Sequence, residues 1–180
     1  MRFAPLPVEG AWLVEPEPRT DERGLFARTW CAREFAEHGL SAALAQISVS
    51  YNEMAGTLRG LHYQEEPHAE IKLVRCTAGS IYDVIVDLRE DTKTYLRWYG
   101  ATLSATNRMA LSVPKGCAHG FLTLEDGSEV LYQISDFHHA ESARGVRWND
   151  PAFGIEWPRV PARISQRDAE YPLFTRAHRP

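Results

Sequence analysis

Glycine and proline recur about every ten residues and separate short segments rich in valine, isoleucine, leucine and aromatic residues. The clearest of these segments is "IYDVIVDLR", residues 81–89, whose side chains alternate between two faces. One face would carry Tyr82, Val84, Val86 and Leu88, and the other Ile81, Asp83, Ile85 and Asp87. This pattern predicts an all-β sandwich or barrel, and an antiparallel double-sheet jelly roll is the expected architecture.

The chain is expected to form a single domain over residues 1–180. With 180 residues, of which 44% are hydrophobic, it can bury a substantial core without cross-links. The best helix candidate is the short segment "CAREFAEHGL", which Gly39 would end as a C-terminal cap. A frayed tail is expected at about residues 175–180.

Composition excludes several classes of function. A net charge of -4 with interleaved signs gives no basic stripe for nucleic acid. No segment approaches the roughly 20 apolar residues that cross a membrane, and the prolines of "MRFAPLPVEG" do not suit a signal peptide, so a cytoplasmic protein is expected. The widely spaced Cys31, Cys76 and Cys117 are expected to be reduced core thiols.

The stretch "LRGLHYQ", residues 58–64, carries Arg59 and His62 within one predicted strand. A regular strand would place these two side chains on opposite faces. Gly60 between them indicates a bulge or twist, which would bring both side chains to one cavity. A histidine on a strand is more often a satisfied structural residue than a catalyst, so this stretch alone leaves both interpretations open.

Three other segments direct polar groups toward apolar faces. In "EIKLVRC", Lys72 shares its face with apolar residues and either meets a buried partner or extends from a sheet edge. In "VPKGCAHGF", a Pro-Lys-Gly turn ends one strand, and the next resumes at His119 on the face of Phe121. In "EVLYQISDF", alternation directs Tyr132 to an apolar face.

The segment "PKGCAH" resembles the second signature of the cupins, which are small jelly rolls. Where the first cupin signature needs two histidines and a glutamate, this chain offers His62, Gln64 and Glu70. Amide oxygen is a poor substitute for imidazole at a zinc or iron site, so we expect neither a metal nor another cofactor. A metal-dependent cupin that uses His62, Glu70 and His119 is kept as an alternative.

A longer series of motifs resembles the dTDP-4-dehydrorhamnose 3,5-epimerases, a metal-free cupin family of deoxysugar biosynthesis. The motifs span about residues 20 to 175 and read "DERGLFAR", "QISVSYNEMAGTLRGLHYQ", "KLVRCTAGSIYDVIVDLR", "VPKGCAHGF", "VLYQISDFH", "RGVRWNDPAFGIEWP" and "SQRD". The resemblance implies a cupin jelly roll (double-stranded β-helix) with short peripheral helices. It also implies an isomerase that inverts carbons 3 and/or 5 of a nucleotide-linked 4-keto-6-deoxyhexose by removing and returning protons, as in dTDP-L-rhamnose biosynthesis.

The resemblance further implies a set of catalytic residues. His62 would be the base, and Asp168 of "SQRD" would bond its imidazole, fix the tautomer and favour the imidazolium. Lys72 would stabilise the enolate oxygen, and Tyr132 would return a proton from the opposite face. Independently of the resemblance, the alternation of "IYDVIVDLR" puts Asp83 on a face that could enter the cavity, which makes it a candidate hydrogen-bond partner behind these groups.

Substrate-binding positions follow from the same resemblance. They are Arg23, Phe26, Arg28, Gln46, Arg59, His119 and His138. Arg59 would contact the diphosphate with its planar guanidinium. The family exchanges N-terminal strands between the subunits of a homodimer, so Arg23 would reach the site of a neighbouring subunit. Asn149 and Asp150 are instead expected to hold the "WNDP" turn.

Three positions depart from the family pattern. Arg28 stands where glutamate is usual, His138 where tyrosine is usual, and Glu70 where glutamine is usual. The first two lie, by resemblance, at the end of the pocket that binds the base, and a guanidinium has no acceptor for thymine. We therefore hypothesise an altered nucleotide specificity, with dTDP not necessarily the natural nucleotide. Glu70 would pair with Lys72 and weaken its action on the enolate.

Two other functions remain open from the sequence. One is a mono-epimerase that acts at carbon 3 or carbon 5 only, for another deoxysugar nucleotide. The other is a non-catalytic cupin that binds a sugar nucleotide or acts as a structural dimer. The joint presence of His62, Lys72, Tyr132 and Asp168 argues against the second, because a binder needs no acid and base on opposed sides.

Overall fold

A computed structural model describes residues 1–175 of the chain and contains two antiparallel sheets. The first sheet has the order β1 (Arg2–Pro5), β2 (Trp12–Glu15), β10 (Ala110–Val113), β7 (Lys72–Ala78), β12 (Ser128–Ile134) and β5 (Gln46–Asn52). The second has the order β13 (Ala143–Gly145), β6 (Thr57–Gln64), β11 (Cys117–Thr123), β8 (Ser80–Asp87) and β9 (Trp98–Ser104), with β14 (Arg163–Ile164) parallel to β6. The predicted double-sheet jelly roll is therefore confirmed.

A separate hairpin precedes the first helix. It consists of β3 (Arg19–Asp21) and β4 (Gly24–Phe26), which within residues 1–175 pair only with each other. All six of its strand residues are exposed. The hairpin therefore contributes little to the core of its own chain.

The main core lies between the two sheets. Val74 and Cys76 of β7 pack in one cluster with Ile81 and Ile85 of β8 and with Phe121 of β11. The alternate residues of β8 face the other way and join a second cluster, which holds Val84, Val86, Leu61 and Phe153. The two faces predicted for "IYDVIVDLR" are thus both buried, each in a different cluster. A shift of the strand by one residue would exchange the two sets of side chains, so the packing fixes the register of β8.

Two short helices lie outside the sheets. The predicted helix is confirmed as α1 (Ala32–Glu37), and Gly39 follows it at a φ of +69°. Its Phe35 covers Val14 and Leu73 on the outer face of the first sheet. The second helix, α2 (Gln166–Ala169), begins after Ser165, whose hydroxyl accepts a hydrogen bond from the Asp168 backbone N–H.

The remaining sequence expectations have mixed outcomes. All three cysteines are free, but Cys31 is only half-buried, so the expectation of a core thiol is wrong for that residue. Burial raises the thiol pKa of Cys76 to about 11 and that of Cys117 to about 12. β11 begins at Cys117, two residues before the predicted start at His119. No helix in residues 1–175 combines the length and apolar character needed to cross a membrane. The expected frayed tail falls largely on residues 176–180, outside the described part of the chain.

Candidate active site

A cavity of about 380 Å³ opens between the two sheets and collects most of the predicted site residues. Its lining includes Arg59, His62, Lys72, His119, Tyr132, His138 and Asp168. His62 and His119 lie on one sheet and Lys72 and Tyr132 on the other, so polar groups face one another across the cavity.

A bulge at Gly60 explains how Arg59 and His62 reach the same cavity. The register of β6 against β11 shifts between His62 and Arg59, so one extra residue of β6 lies between these pairs. Gly60 has a φ of +121°, and a Cβ there would lie 2.6 Å from the Gly120 Cα and 2.8 Å from the His119 carbonyl oxygen. Only glycine fits this close backbone approach, and the predicted bulge is confirmed.

His62 and Asp168 form a hydrogen-bonded dyad. The Nε2 of His62 lies 2.7 Å from Oδ1 of Asp168, and Oδ2 accepts the Gly60 N–H at 3.1 Å. The bulge therefore frees a backbone donor that holds the carboxylate. The histidine side chain is 41% exposed and the aspartate side chain 7%, so a ligand can reach the imidazole but not the carboxylate.

The protonation of this dyad follows from its electrostatics. Burial opposes ionisation of Asp168, but hydrogen bonds from His62, Gly60 and Ser165 outweigh it and leave the aspartate pKa below its ordinary value. A carboxylate can only accept, so Nε2 of His62 carries the proton of the shared bond. The lone pair of Nδ1 is then available to take a proton from a ligand in the cavity.

Tyr132 and Lys72 come from the sheet opposite His62. Burial raises the pKa of the Tyr132 phenol, and the charge of Asp83 adds to this rise while Arg59 opposes it. The phenol therefore keeps its proton at neutral pH and can donate it. The Nζ of Lys72 lies 2.9 Å from a Glu70 carboxylate oxygen and 3.5 Å from the backbone oxygen of His62.

A second histidine dyad lies deeper in the fold. The Nε2 of His119 is 2.7 Å from Oδ1 of Asp83, and the side chains are 5% and 0% exposed. The His119 ring meets the Tyr132 ring edge to face at 6.1 Å. Oδ2 of Asp83 is buried without a hydrogen-bond partner among residues 1–175. Asp83 is thus the partner of His119, close enough to Tyr132 to affect its ionisation.

Arg59 lines the cavity next to the edge strand β5. Its Nε donates to the Asn52 side chain at 2.7 Å, and an Nη donates to the Tyr51 carbonyl at 3.4 Å. These bonds hold the guanidinium near the edge strand β5, while the residue stays exposed. A fork positioned in this way suits phosphate oxygens.

Several predicted substrate-binding residues lie outside the cavity of their own chain. Arg23 and Phe26 belong to the exposed hairpin, where the Arg23 side chain is 83% exposed and bonded to Asp21. Arg28 is bonded to Glu34 of α1 at 3.0 Å. Their roles remain predictions.

Two other predicted positions act through the backbone. Gln46 accepts the backbone N–H of His138 at 2.9 Å and so holds a residue of the cavity rim. Asp150 is buried and accepts the N–H of Ala152 at 2.8 Å and that of Phe174. The aspartate therefore holds its turn, in the way expected for "WNDP".

Two further arginines, Arg144 and Arg167, line the cavity and add two cations near the dyad. Neither was predicted as a site residue from the sequence. Arg144 pairs with Glu65 at 2.9 Å, and Arg167 lies 5.7 Å from the Tyr171 ring centroid. Arg144 lies in the family motif "RGVRW" and Arg167 in "SQRD". Their position within these motifs was the sequence feature that could have identified them as cavity residues.

The cavity does not favour the metal-dependent alternative. His62 bonds Asp168, His119 bonds Asp83, and Glu70 pairs with Lys72, so each candidate ligand has its own partner. Within the described residues, these three groups do not come close enough together to share one ion. The donor set of His62, Glu70 and His119 therefore does not fit a metal.

Comparisons with known proteins agree with this geometry. A family model for dTDP-4-dehydrorhamnose 3,5-epimerase matches residues 5–176. The chain is 39% identical over 173 residues to the dTDP-4-dehydrorhamnose 3,5-epimerase of Sinorhizobium fredii, which covers 96% of this chain and 89% of that protein.

Solved structures give the same result. The dTDP-4-dehydrorhamnose 3,5-epimerase of Bacillus anthracis with TDP and PPi bound is 40% identical with a TM-score of 0.93, over 96% of this chain and 99% of that one. A 3'-monoepimerase from Streptomyces bikiniensis in complex with dTDP-quinovose is 32% identical with a TM-score of 0.87, over 93% and 85% of the two chains. The likeness extends across nearly the whole fold.

Proposed function

The chain belongs to the dTDP-4-dehydrorhamnose 3,5-epimerase family, and from this we propose that it is an isomerase acting on a dTDP-linked 4-keto-6-deoxyhexose. The reaction inverts carbons 3 and 5, which flank the ketone. Each inversion removes a proton from one face of the sugar and returns a proton to the other.

His62 is the base in this proposal. Its Nδ1 takes the proton from the carbon next to the ketone, the C–H electron pair forms the enolate, and Asp168 stabilises the resulting imidazolium through Nε2. The buried carboxylate needs no movement to do this, because the Gly60 N–H already bonds it and the Ser165 hydroxyl holds the Asp168 backbone N–H.

Residues on the opposite wall of the cavity stabilise the enolate and return the proton. Lys72 places its ammonium group in the cavity, where it can stabilise the negative oxygen. Tyr132 returns a proton to carbon from the face opposite His62. After each inversion the His62 imidazolium releases its proton to solvent and the Tyr132 phenolate takes one up, so both groups return to their starting states. His119, whose Nε2 donates to Asp83, stands beside Tyr132 with its Nδ1 as an acceptor for a sugar hydroxyl.

We propose that the active unit is a homodimer with exchanged N-terminal segments. Phe26 of the hairpin β3–β4 is 75% exposed, and no residue of the hairpin lines the cavity of the same chain. The edge strand β5 exposes an outer row of apolar side chains, with Ile47, Val49 and Tyr51 between 58% and 62% exposed. Such a row at a sheet edge is typical of an interface. A partner's hairpin would then supply Arg23 to the nucleotide.

The pairing of the His62–Asp168 dyad on one wall with Tyr132 on the other carries the proposed reaction. The test incubates the protein in heavy water with 4-keto-6-deoxyhexoses linked to dTDP, UDP, GDP or CDP and follows carbons 3 and 5 by NMR. We expect deuterium at both carbons and inverted products with dTDP. A binder without catalysis would leave both carbons unlabelled. Faster turnover with another nucleotide would instead support the altered specificity hypothesised from Arg28 and His138.

A mono-epimerase is the second candidate. The similarity to a 3'-monoepimerase favours it, since that protein shares the fold at 32% identity. The heavy-water experiment separates the two outcomes directly. If only one carbon is inverted, and the other is either unlabelled or labelled without inversion, the protein is a mono-epimerase.

Subunit complementation tests the shared site. Arg23→Ala and His62→Asn proteins are unfolded together, refolded as a mixture and assayed. If each site takes Arg23 from one subunit and His62 from the other, half of the dimers regain one site of two and activity returns to about a quarter of wild type. Activity no higher than that of either parent would place Arg23 and His62 of the same chain in one site.

A further inference from the structure

Two histidines and an aspartate lie together beside the cavity, separate from the groups assigned to the reaction. The rings of His68 and His139 stack with centroids 3.4 Å apart and planes at 11°. One ligand atom of each histidine and one carboxylate oxygen of Asp136 all lie within 4.8 Å of one another. The three residues are half-buried, so solvent and small ions can reach them.

The backbone holds the two segments that carry these side chains. Buried Gln64 donates through Nε2 to the carbonyls of His68 and Phe137, at 2.9 and 3.1 Å. Its Oε1 accepts the backbone N–H of His139 at 2.6 Å. One amide therefore connects the loop after β6 with the loop after β12 and sets the two imidazoles side by side.

Further bonds fix the same two loops. Ile71 donates its N–H to the Ser135 hydroxyl at 2.8 Å, and Ser135 donates its N–H to the Ile71 carbonyl at 3.0 Å. The N–H of Glu65 donates to the Ser142 carbonyl at 3.0 Å. The loops are thus joined by main-chain bonds at both ends of the cluster, and only side-chain rotation is needed to adjust the three groups.

A fourth residue completes the arrangement. Glu141 places a carboxylate oxygen 3.1 Å from Nδ1 of His139. A carboxylate on one imidazole nitrogen orients the ring and leaves the other nitrogen as a ligand, which is the usual second partner of a metal-bound histidine. Asp136 and Glu141 also supply two negative charges to balance a divalent cation.

We propose that His68, His139 and Asp136 form a binding site for a divalent transition metal, with zinc the best match. Two imidazoles and one carboxylate are ligands that zinc accepts, and a water molecule would take the fourth position. Tetrahedral zinc ligands lie about 3.4 Å apart, so binding draws the ligand atoms together by up to about 1.4 Å and splays the stacked rings. The ion would fasten the segment 136–139 to the loop of His68, and with it His138 at the cavity rim.

The site is independent of the proposed reaction, because none of its three ligands is assigned a step in it. The test uses the full chain freed of metal by a chelator and titrates it with zinc by calorimetry. We expect one tight zinc per chain and a rise in the melting temperature. Cobalt should bind with the absorption spectrum of a tetrahedral nitrogen and oxygen site.

Matched variants decide the assignment. His68→Ala, His139→Ala and Asp136→Asn should each weaken zinc binding about tenfold or more, and Glu141→Gln should weaken it less. His38→Gln, at an exposed histidine on the far side of the first sheet, should bind zinc as the wild type does. Asp136→Asn preserves the shape of the side chain, so it remains informative if a histidine variant fails to fold.

Two results would overturn the proposal. One is wild-type zinc affinity in both His139→Ala and Asp136→Asn. The other is loss of zinc in His62→Asn with retention in His139→Ala, which would place the ion on the catalytic imidazole instead.

Discussion

Nε2 of His62 lies 2.7 Å from Oδ1 of Asp168, although 106 positions separate the two residues. The aspartate stands in the short helix α2, and the hydroxyl of Ser165 and the N–H of Gly60 hold it there. Gly60 also creates the bulge that directs the side chains of both Arg59 and His62 toward the same cavity. One local irregularity therefore both aims the base and anchors its carboxylate.

Removal of either member of the dyad should abolish most of the activity. His62→Asn and Asp168→Asn should each lower turnover by about 10²-fold or more, because the first removes the base and the second its charge partner. The measurement is the rate of deuterium entry at carbon 3 in heavy water. Glu170→Gln, an exposed carboxylate next to the same helix, should retain full activity. Near-normal exchange in both dyad variants would assign proton removal to another group.

Tyr132→Phe should separate proton removal from proton return. The phenyl ring fills the same space but has no proton to donate, so exchange next to the ketone should persist while inversion fails. NMR of the labelled sugar measures both events in one sample. Tyr99→Phe, on β9 away from the cavity, should behave as wild type. Unimpaired inversion in Tyr132→Phe would require a different acid.

Glu70 should restrain Lys72. The two side chains are 8% and 13% exposed, so their ion pair at 2.9 Å is poorly screened by water. Glu70→Gln keeps the shape and removes the charge, and we expect turnover to rise by roughly threefold to tenfold as the ammonium acts on the enolate alone. Lys72→Met should lower turnover by about 10²-fold. A decrease with Glu70→Gln would show instead that the carboxylate positions the ammonium group.

Gly60→Ala should disrupt the bulge. The new methyl group would meet the Gly120 Cα at 2.6 Å, in a backbone conformation with φ of +121°. Gly24 is a matched control, because it has a similar φ of +128° with no atom within 4 Å of an added Cβ. Urea denaturation should show that Gly60→Ala lowers the free energy of unfolding by about 2 kcal/mol more than Gly24→Ala does. Equal losses would mean that the close approach to Gly120 is absent in solution.

Asp87 should make stability depend on pH in the acid range. Burial opposes its ionisation, but the Arg89 guanidinium and the hydroxyls of Thr92 and Thr94 outweigh it, so the folded pKa lies below the ordinary value. Its contribution is therefore complete above the unfolded aspartate pKa of about 3.9 and is lost as pH falls through the lower folded pKa.

The variant Asp87→Asn measures this contribution. It should lower the free energy of unfolding by about 3 kcal/mol at pH 7, because Arg89 loses its partly buried partner. The gap between variant and wild type should narrow below about pH 4, where the wild type loses the same charge. Asp91→Asn, at an exposed neighbour, should show no gap at any pH. A gap that stays constant down to acid pH would mean that the charge of Asp87 does not stabilise the fold.

The local structure could be read from the sequence because it depends on near neighbours. Alternation in "IYDVIVDLR" separates Ile81 and Ile85 from Val84 and Val86, and the two pairs lie in different clusters. The helix of residues 32–37 follows from its short amphipathic pattern and the glycine after it. Gly60 marked the bulge in β6, because a glycine inside a strand pattern signals a close backbone approach. The motifs were also sufficient to identify the family.

The long-range pairs depend on the tertiary structure. Resemblance to the family predicted the bond between His62 and Asp168, and the packing of α2 against β6 brings the two residues together. The pairing of His119 with Asp83 depends on the register of β11 against β8. The cluster of His68, Asp136 and His139 exists because Gln64 joins two loops that are far apart in the chain. Periodicity fixes which face a side chain occupies, whereas sheet register and loop packing fix what it meets there, and those depend on contacts across the whole fold.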